Sequence, residues 1–373
     1  MFSAADHAYM ARAIALTERG RDTSTPNPSV GCVIVKDGRV IAEGWHERAG
    51  EPHAEARALA SATESPAGAT VYLSLEPCSH QGRTPPCADA LVQARVGRVV
   101  AALEDPNPQV KGRGVGRLRA AGIRVDMGLM AHEATEAHRG FVWRMTRARP
   151  WMRIKAAASL DGRIALANGV SKWITGEAAR RDAHALRARS CAMLTCIGTV
   201  LADDPELTVR HVPCRRQPHR YVLDHRLEMP ANAKLLTGDP ITILTVHPDP
   251  ARRAELEKRG VEIVQVAPEG DKADLAALAR LLAERGCNEV TVETGGKLAG
   301  SLLRAGVIDE LVLYVAPMIL GDKAQALFVL PEWTRLDEAL RPRIVDVRAV
   351  GDDWRITGRF SPSPLGEGRG EGR

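Results

Sequence analysis

Long apolar runs are missing from this chain of 373 residues. A membrane-spanning helix needs roughly 18 or more consecutive apolar residues, and no such stretch is present. The first ten residues, MFSAADHAYM, lack the basic segment and apolar core of a secretory signal. The seven cysteines are unevenly spread, which favours a reducing compartment over a disulfide framework. We therefore expect a cytoplasmic protein without a membrane partner.

Aromatic residues are also scarce, with four Phe and four Tyr in the whole chain. RNA and single-stranded DNA are commonly bound by stacking bases on aromatic side chains along a basic groove. The net charge of +5 is mild, and the basic residues are interleaved with acidic ones. The composition thus argues against a nucleic-acid partner, and a small anionic substrate or cofactor explains the positive balance equally well.

The length of the chain predicts two domains, because single domains usually hold about 100 to 200 residues. Strand-like apolar runs alternate with helical stretches in both halves, which predicts an α/β fold in each. Two apolar runs that flank Asp37-Gly38 indicate a β-hairpin. We place the domains at residues 1–147 and 148–360. The remaining segment, 361–373, is rich in Pro, Gly and charge and is predicted to be a disordered tail.

Residue types that bind zinc are concentrated in one stretch of the first domain. His53 opens HAEARALA, the apolar run ATVYLSL follows, and Cys78 and Cys87 lie in EPCSHQGRTPPC. A catalytic zinc site takes three nitrogen or sulfur ligands and keeps one position open for water. Glu55 follows His53 by two residues and is placed to move protons without binding the metal. H-x-E, then Pro-Cys and a second Cys, is the signature of zinc-dependent deaminases.

The spacing of the two cysteines departs from the usual C-x-x-C, since the eight residues SHQGRTPP separate them. Two alternatives therefore stay open. A structural zinc module would close its site with a fourth ligand, for which His80 is the candidate. A tRNA or nucleoside deaminase fused to an unrelated α/β domain is the other. Cys191 and Cys196 lack a partner pair, and we interpret them as residues of an apolar strand.

Three polar residues of the first domain are candidates for substrate contacts. Asn27 lies between two prolines that fix its loop, so its amide could be aimed into a pocket. Asp105 and Asn107 belong to DPNPQVKGRG, which follows a predicted strand, where open α/β sheets usually place ligand groups. A loop-capping Asn and a simple Asp-Pro-Asn-Pro turn are the alternatives.

HAE, PCSHQGRTPPC and DPNPQVKGRG, in this order, resemble the deaminase half of the bifunctional riboflavin-biosynthesis deaminase/reductases, the RibD family. The resemblance covers residues 1 to about 147, and the insertion between the cysteines is the family's own pattern. It implies a cytidine-deaminase-like α/β/α domain with Zn²⁺ on His53, Cys78 and Cys87 and with Glu55 as the proton shuttle. The pocket residues that it implies are Asn27, His80, Asp105 and Asn107.

A new pattern begins at Arg149-Pro150 with the strand and turn WMRIKAAASLDGRIAL. CAMLTCIGTVLADDPELTVR is predicted to be a buried strand with an acidic loop behind it. In VETGGKLAGSLLRAG we predict a strand that ends at Glu293 and a helix that begins near Lys297. The amino end of such a helix is a ready site for phosphate or pyrophosphate. Two glycines before a helix are by themselves a weak signal, however, and more often form a tight turn. The segment has no G-x-G-x-x-G that would indicate a Rossmann domain.

SLDG, SKWIT, TVLADDPELTVR and VETGG are similar, in this order, to the reductase half of the same family. This resemblance implies a dihydrofolate-reductase-like α/β domain that uses NADPH. The cofactor contacts that it implies are Ala157, Trp173, Thr199, Asp203, Gly295 and Gly296. The substrate contacts that it implies are Ser171, Arg187, Leu207, Arg210 and Glu293. Guanidinium groups such as those of Arg187 and Arg210 match phosphate oxygens with paired hydrogen bonds.

Three positions in the second domain carry no assignment. His225 stands where a Ser is expected after Asp224, so no cofactor contact is predicted there. Lys155 and Asp161 lie near the expected reaction centre, but neither is assigned as the proton donor.

The resemblance as a whole implies two consecutive steps of riboflavin synthesis. The first is zinc-dependent hydrolytic deamination of a diaminopyrimidinone ribosyl phosphate to the aminouracil. The second is reduction of its ribosyl chain by NADPH to a ribitylamino chain. The expected partner is this small phosphorylated pyrimidine, and a homo-oligomer, either a dimer or a tetramer, is expected.

Overall fold

The computed structural model describes residues 1–79, 85–238 and 240–360. The chain divides into two compact units: residues 1–149 with 286–288, and residues 150–285 with those from 289 onward. No helix of the described residues is long and apolar enough to cross a membrane. The predicted tail, 361–373, lies outside the described residues.

A mixed β-sheet forms the centre of the first unit. Its strands in the described residues are β1 (Gly31–Lys36), β2 (Arg39–Trp45), β3 (Thr70–Leu73), β4 (Arg98–Ala101) and β5 (Arg124–Met127). They lie in the order β2-β1-β3-β4-β5. β1 is antiparallel to β2 and β3, whereas β3, β4 and β5 are parallel. The predicted hairpin turns at Asp37 and Gly38, whose φ angles of 48° and 73° are left-handed.

Helices cover both faces of this sheet. They are α1 (Ala4–Leu16), α2 (Ala54–Ala60), α3 (Cys87–Gln93), α4 (Arg113–Ala120), α5 (Ala131–Ala137) and α6 (Arg139–Arg147). α1 and α5 pack on one face, in a cluster that includes Met10 and Val33. α2, α3 and α4 pack on the other face, in a cluster that includes Ile34 and Leu91. This confirms the predicted α/β/α layering of the first domain.

The second unit is also built on a central sheet. Its strands in the described residues are β6 (Trp151–Ser159), β7 (Arg163–Ala165), β8 (Ala192–Cys196), β9 (His219–Leu223), β10 (Ile241–Thr245), β11 (Glu262–Gln265), β12 (Pro268–Glu269), β13 (Lys272–Ala273), β14 (Glu289–Val292), β15 (Glu310–Ala316), β16 (Gln325–Ala326), β17 (Arg343–Val350) and β18 (Asp353–Arg359). The main sheet has the order β11-β10-β9-β8-β14-β6-β15-β18-β17. Short ribbons join β7 to β16 and β12 to β13.

In the main sheet, the seven strands in the order β11-β10-β9-β8-β14-β6-β15 are parallel to one another. The hairpin β17–β18 adds an antiparallel edge next to β15. The helices of this unit in the described residues are α7 (Glu177–Arg189), α8 (Ile197–Asp203), α9 (Pro250–Glu257), α10 (Leu275–Glu284) and α11 (Gly296–Arg304). Single 3₁₀ turns span Thr17–Arg19 in the first unit and Lys234–Leu236 and Leu336–Glu338 in the second. The second unit is thus the α/β domain that was predicted.

Helix α8 corrects one sequence interpretation. CAMLTCIGTVLADDPELTVR was predicted to be a buried strand with an acidic loop behind it, but β8 ends at Cys196, and Ile197–Asp203 is a helix whose C-cap, Asp204, has a φ of 43°. A continuous apolar run does not show where a strand stops and a helix starts. Thr199 and Asp203 therefore lie on a helix. The edge hairpin β17–β18 was not predicted, although VDVRA within RIVDVRAV alternates in polarity and Gly351-Asp352 follows that run.

Candidate active sites

Three side chains with zinc-binding atoms meet in the first unit. His53 is the N-cap of α2, Cys87 is the first residue of α3, and Cys78 lies in the loop after β3. Nδ1 of His53 is 3.5 Å from Sγ of Cys78 and 3.3 Å from Sγ of Cys87. All three ligand atoms lie within 4.8 Å of one another. A tetrahedral zinc with bonds of about 2.0 to 2.3 Å needs ligand atoms roughly 3.5 to 4 Å apart, so these residues fit the metal.

The surroundings of Cys78 also suit a cation. The side chain of Cys87, the imidazole of His53 and the backbone N–H of Cys87 lower the pKa of the Cys78 thiol. The backbone N–H of Cys87 donates to Sγ of Cys78 at 3.4 Å. Zinc is bound by thiolate rather than by thiol, so an easily ionised Cys78 is suited to the metal.

Glu55 lies in the first turn of α2 and is buried, with 3% of its surface exposed. Burial, reinforced by the negative charge of Cys78, raises the pKa of Glu55 to about 7. A carboxyl group with a pKa near neutrality can both accept and release a proton. Its position and protonation therefore suit a general acid/base beside the three ligands.

A cavity of about 490 Å³ opens onto this cluster, a volume in the range of small-molecule sites. It is lined by His53, Cys78 and Glu55 and by the predicted pocket residues Asn27, Asp105 and Asn107. The structure thus brings together residues from widely separated parts of the sequence. His80, the remaining predicted pocket residue, lies outside the described residues.

His46 lines the same cavity and was missed by the sequence analysis. Its Nε2 is 3.1 Å from Nδ2 of Asn27, and its Nδ1 is 3.4 Å from the carbonyl oxygen of Pro52. Burial lowers the pKa of His46 to about 4, so the ring is neutral near pH 7. A neutral ring that donates from Nδ1 to Pro52 accepts at Nε2 from Asn27. The amide oxygen of Asn27 is then left to accept a hydrogen bond from a substrate.

Asp105 and Asn107 have the turn role that the sequence offered as an alternative, and they also line the cavity. Oδ1 of Asp105 accepts the backbone N–H of Asn107 at 2.8 Å, and Oδ1 of Asn107 accepts that of Gln109 at 3.0 Å. Each side chain therefore stabilises a local turn and also lines the cavity. Burial raises the pKa of Asp105 to about 6. Phe141 and Arg144 line the cavity from α6, a helix in which no site residue was predicted.

A buried ion pair is the centre of the candidate site in the second unit. Glu293 follows β14 and accepts two hydrogen bonds from Arg187 of α7, at 2.6 and 2.9 Å. Nζ of Lys155 is 3.7 Å from the same carboxylate. Arg187 also donates from Nη1 to the carbonyl oxygen of Thr208 at 3.0 Å. Arg187 therefore orients Glu293, and its predicted contact with a substrate phosphate stays a prediction.

Asp203 accepts hydrogen bonds from two neighbouring residues, Ser171 and Lys172. Oγ of Ser171 donates to Oδ1 of Asp203 at 3.2 Å, and Nζ of Lys172 donates to the carbonyl oxygen of Asp203 at 3.1 Å. Trp173 is 68% exposed, and the guanidinium of Arg180 lies 4.7 Å from the centre of a ring of the Trp173 indole. A predicted substrate contact, Ser171, and a predicted cofactor contact, Asp203, are therefore direct neighbours.

The two glycines at the start of α11, the N-cap Gly295 and the first helical residue Gly296, differ in how closely they are packed. The backbone N–H of Gly295 donates to Oγ1 of Thr199 at 3.2 Å, and a Cβ added at Gly295 would meet no described atom within 4 Å. At Gly296 a Cβ would lie 2.6 Å from the carbonyl oxygen of Ala326. Close packing therefore requires Gly296, whereas Gly295 is open for a ligand to approach.

The remaining predicted contacts are spread around this unit. Ala157 lies in β6 opposite Tyr314 of β15. Leu207 is buried and has a left-handed φ of 54°. The guanidinium of Arg210 donates to Oε2 of Glu206 at 2.6 Å, and its side chain is 44% exposed. The backbone N–H of Arg210 donates to Nδ1 of His184 at 3.1 Å, and His184 was not identified from the sequence.

Comparison with known proteins identifies the family of both domains. Residues 150–356 match the family model of the RibD C-terminal domain. Residues 3–103 match that of the cytidine and deoxycytidylate deaminase zinc-binding region. The chain is 47% identical over 357 residues to the riboflavin biosynthesis protein RibD of Escherichia coli (strain K12), with 93% of this chain and 97% of that protein covered. The chain belongs to the RibD family.

Solved structures of RibD proteins share the fold. Acinetobacter baumannii RibD, form 1, has a TM-score of 0.89 at 42% identity and covers 96% of this chain and 99% of its own. A diaminohydroxyphosphoribosylaminopyrimidine deaminase/5-amino-6-(5-phosphoribosylamino)uracil reductase from Thermotoga maritima has a TM-score of 0.84 at 32% identity, with 96% and 99% covered. As a RibD protein, this chain is a bifunctional enzyme of riboflavin biosynthesis, with a zinc-dependent deaminase domain and an NADPH-dependent reductase domain. The second domain is thus not an unrelated fusion.

Proposed function

We propose that the protein acts twice on one phosphorylated pyrimidine, removing a ring amino group and then reducing the ribosyl chain. The observation that carries the proposal is the cavity that His53 and Cys78 of the zinc-binding cluster line together with the buried Glu55, Asn27 and Asp105. A diaminopyrimidinone ribosyl phosphate offers amino and ring N–H groups to such acceptors. The substrate named for the relative from Thermotoga maritima supports the same assignment.

In the deaminase, His53, Cys78 and Cys87 would hold zinc, which when bound activates the water that replaces the ring amino group. Glu55 accepts one proton from this water and passes it to the ring nitrogen beside the reacting carbon. It then moves the remaining hydroxyl proton to the departing amino group, so that a ring carbonyl and ammonia result. The amide oxygen of Asn27, oriented by His46, accepts a hydrogen bond from the substrate. Asp105 and Asn107, together with His80, are assigned to substrate binding.

In the reductase, NADPH supplies the hydride that reduces the first ribose carbon. Its proposed contacts are Ala157, Trp173, Thr199, Asp203, Gly295 and Gly296. The proposed substrate contacts are Ser171, Arg187, Leu207, Arg210 and Glu293. Glu293 is held ionised by Arg187 and Lys155 and can accept hydrogen bonds from hydroxyl groups of the ribosyl chain. Arg210, whose side chain is 44% exposed, is the more available of the two arginines for a phosphate group.

We infer that the deaminase occupies residues 1–147 and the reductase residues 148–360. We further infer a cytoplasmic location. All seven cysteines have free thiols, which supports a reducing compartment.

We infer a homodimer formed by the open face of the edge hairpin in the second unit. The β17–β18 register pairs Val347 with Ile356 and Ala349 with Trp354, so these four side chains share one sheet face. Val347 and Trp354 are 53% and 52% exposed. Exposed apolar surface on a sheet usually marks an association site. A second copy of the same face would cover it with matching apolar residues.

The reaction is tested by incubating the protein with the diaminopyrimidinone ribosyl phosphate, with and without NADPH, and identifying the products by mass. We expect ammonia and the aminouracil ribosyl phosphate without NADPH, and the ribitylamino product with it. Adding the aminouracil ribosyl phosphate directly should support NADPH oxidation without ammonia release. Absence of ammonia release from the diamino compound would reject the proposed substrate.

A further inference from the structure

Glu76 is a buried carboxylate that the reaction steps above do not use. It stands two residues before Cys78 and lines the deaminase cavity. Only 3% of its surface is exposed. A buried carboxylate is costly unless hydrogen bonds compensate it, so its partners indicate why it is there.

Three backbone N–H groups donate to this one carboxylate. Oε2 accepts from Asp105 at 3.1 Å and from Gly112 at 3.0 Å, and Oε1 accepts from Val115 at 3.0 Å. All three donors belong to the segment 105–115, which begins with the candidate substrate-binding residues Asp105 and Asn107. Glu76 therefore fixes the backbone of this segment at both of its ends.

The start of helix α4 explains two of these bonds. Its N-cap is Gly112, with φ of 72° and no side-chain capping bond. The first N–H groups of a helix need acceptors from outside the helix, and a negative charge is favoured at that end. Glu76 supplies this acceptor from the loop after β3. At Gly114 an added Cβ would lie 1.9 Å from the carbonyl oxygen of Pro77, so α4 also packs directly against that loop.

The same loop continues into the zinc-binding part of the site. Pro77 and Cys78 follow Glu76 directly. One carboxylate thus connects the loop that carries a metal ligand to the segment that carries Asp105. The side chain of Asp105 then accepts the backbone N–H of Asn107 at 2.8 Å, which extends the ordering to the second candidate contact.

We propose that Glu76 is a positioning residue of the deaminase, which holds Asp105 and Asn107 in register with the metal-binding loop. The inference rests on the proposed deaminase function of the cavity. Glu76 acts through Asp105 and not on the substrate, so its loss weakens substrate binding more than metal binding. An amide cannot replace the carboxylate, because its NH₂ group would face a backbone N–H donor where an oxygen now accepts.

Glu76→Gln tests the role with almost no change of volume. We expect the Michaelis constant for the diaminopyrimidinone ribosyl phosphate to rise at least about tenfold, the equivalent of losing one hydrogen bond to a charged group. Zinc should stay near one per chain, and the rate of NADPH oxidation with the aminouracil ribosyl phosphate should not change. Glu104→Gln is the matched control and should behave as the wild type, because Glu104 lies in the loop after β4 and its side chain is 52% exposed.

A double-mutant cycle with Asp105→Ala separates positioning from a merely structural role. If Glu76 acts through Asp105, adding Glu76→Gln to Asp105→Ala should raise the Michaelis constant by less than about twofold. Fully additive effects, or a Glu76→Gln variant that binds substrate normally, would overturn the proposal. Loss of zinc from Glu76→Gln together with all deamination would also overturn it. The wild type, assayed in parallel, shows whether the proposed function fails instead, since it would then release no ammonia.

Discussion

Arg187 and Glu293 form a two-point ion pair, with Nε donating to Oε1 at 2.6 Å and Nη2 donating to Oε2 at 2.9 Å. Their side chains are only 12% and 14% exposed. Burial by itself opposes ionisation of the carboxyl group, but Arg187 and Lys155 lower the pKa of Glu293 to about 2. The second unit thus keeps a fixed negative charge at its candidate substrate site throughout the neutral and mildly acidic range.

Glu293→Gln should destabilise the second unit in a pH-dependent way. At pH 7 we expect the free energy of unfolding to fall by about 3 to 5 kcal/mol, because Arg187 is left as a buried, uncompensated charge. The difference from the wild type should shrink as the pH falls from the ordinary carboxyl pKa of 4.5 towards about 2, since the wild-type carboxylate is then protonated. Urea unfolding at pH 7 and at pH values below 4 measures both effects.

The control for this measurement is Glu257→Gln, which removes an exposed ion pair with Arg253 in the same unit. Its effect on the free energy of unfolding should stay below about 1 kcal/mol. A Glu293→Gln variant no less stable than this control at pH 7 would contradict the stabilising role of the buried pair.

Cys87→Ala should remove most of the bound zinc. We expect well under one zinc per chain, because a site left with two protein ligands binds the metal weakly. Cys214→Ala is the control, since Cys214 lies in the second unit, where its thiol donates to the carbonyl oxygen of Arg216. Metal analysis of the purified variants decides the outcome, and unchanged zinc in Cys87→Ala would show that the ligand assignment is wrong.

Glu55→Gln should separate the two activities. We expect deamination to slow by about 10² to 10⁴-fold, the usual contribution of a general acid/base, while zinc content is unchanged. Oxidation of NADPH with the aminouracil ribosyl phosphate should continue at the wild-type rate. Glu64→Gln, a partly exposed carboxylate paired with Arg39, is the control for both assays. Loss of zinc from Glu55→Gln would instead identify Glu55 as a metal ligand.

Val347→Asp should break the proposed dimer. Light scattering on the eluting protein is expected to show two chains for the wild type and one for the variant, because a buried charge opposes association of apolar surfaces. Arg348→Ala is the control. Arg348 follows Val347 in β17, so its side chain points to the other face of the sheet, where it pairs with Asp346. A wild-type monomer would overturn the proposed dimer, and a tetramer that Val347→Asp leaves intact would place the association surface elsewhere.

Much of the architecture could be predicted from short stretches of sequence. Asp37-Gly38 predicted the first hairpin because that pair favours the left-handed turn that the strands require. His53, Cys78 and Cys87 were nominated by residue type and order, and the structure places their ligand atoms within 4.8 Å of one another. Local conformational preference and metal chemistry are properties of a few residues, so a pattern can encode them.

Helix α8 and the hairpin β17–β18 are two elements that local sequence patterns did not predict. The apolar run from β8 into α8 is continuous, and periodicity does not identify the change from strand to helix within it. The family resemblance implied Gly295 and Gly296 together as cofactor contacts, yet packing against Ala326 requires a glycine at position 296 and not at position 295. That distinction depends on a segment about thirty residues further along the chain.

The sequence by itself determined the two-domain α/β organisation, the nominated zinc-binding residues and the resemblance to a deaminase and a reductase. Only the tertiary structure decided how those residues are held. His46 orients an asparagine 19 residues earlier, and Glu76 accepts hydrogen bonds from donors 29 to 39 residues later. A buried polar group takes whichever partners the packed chain brings to it, and no local pattern in the sequence records that choice.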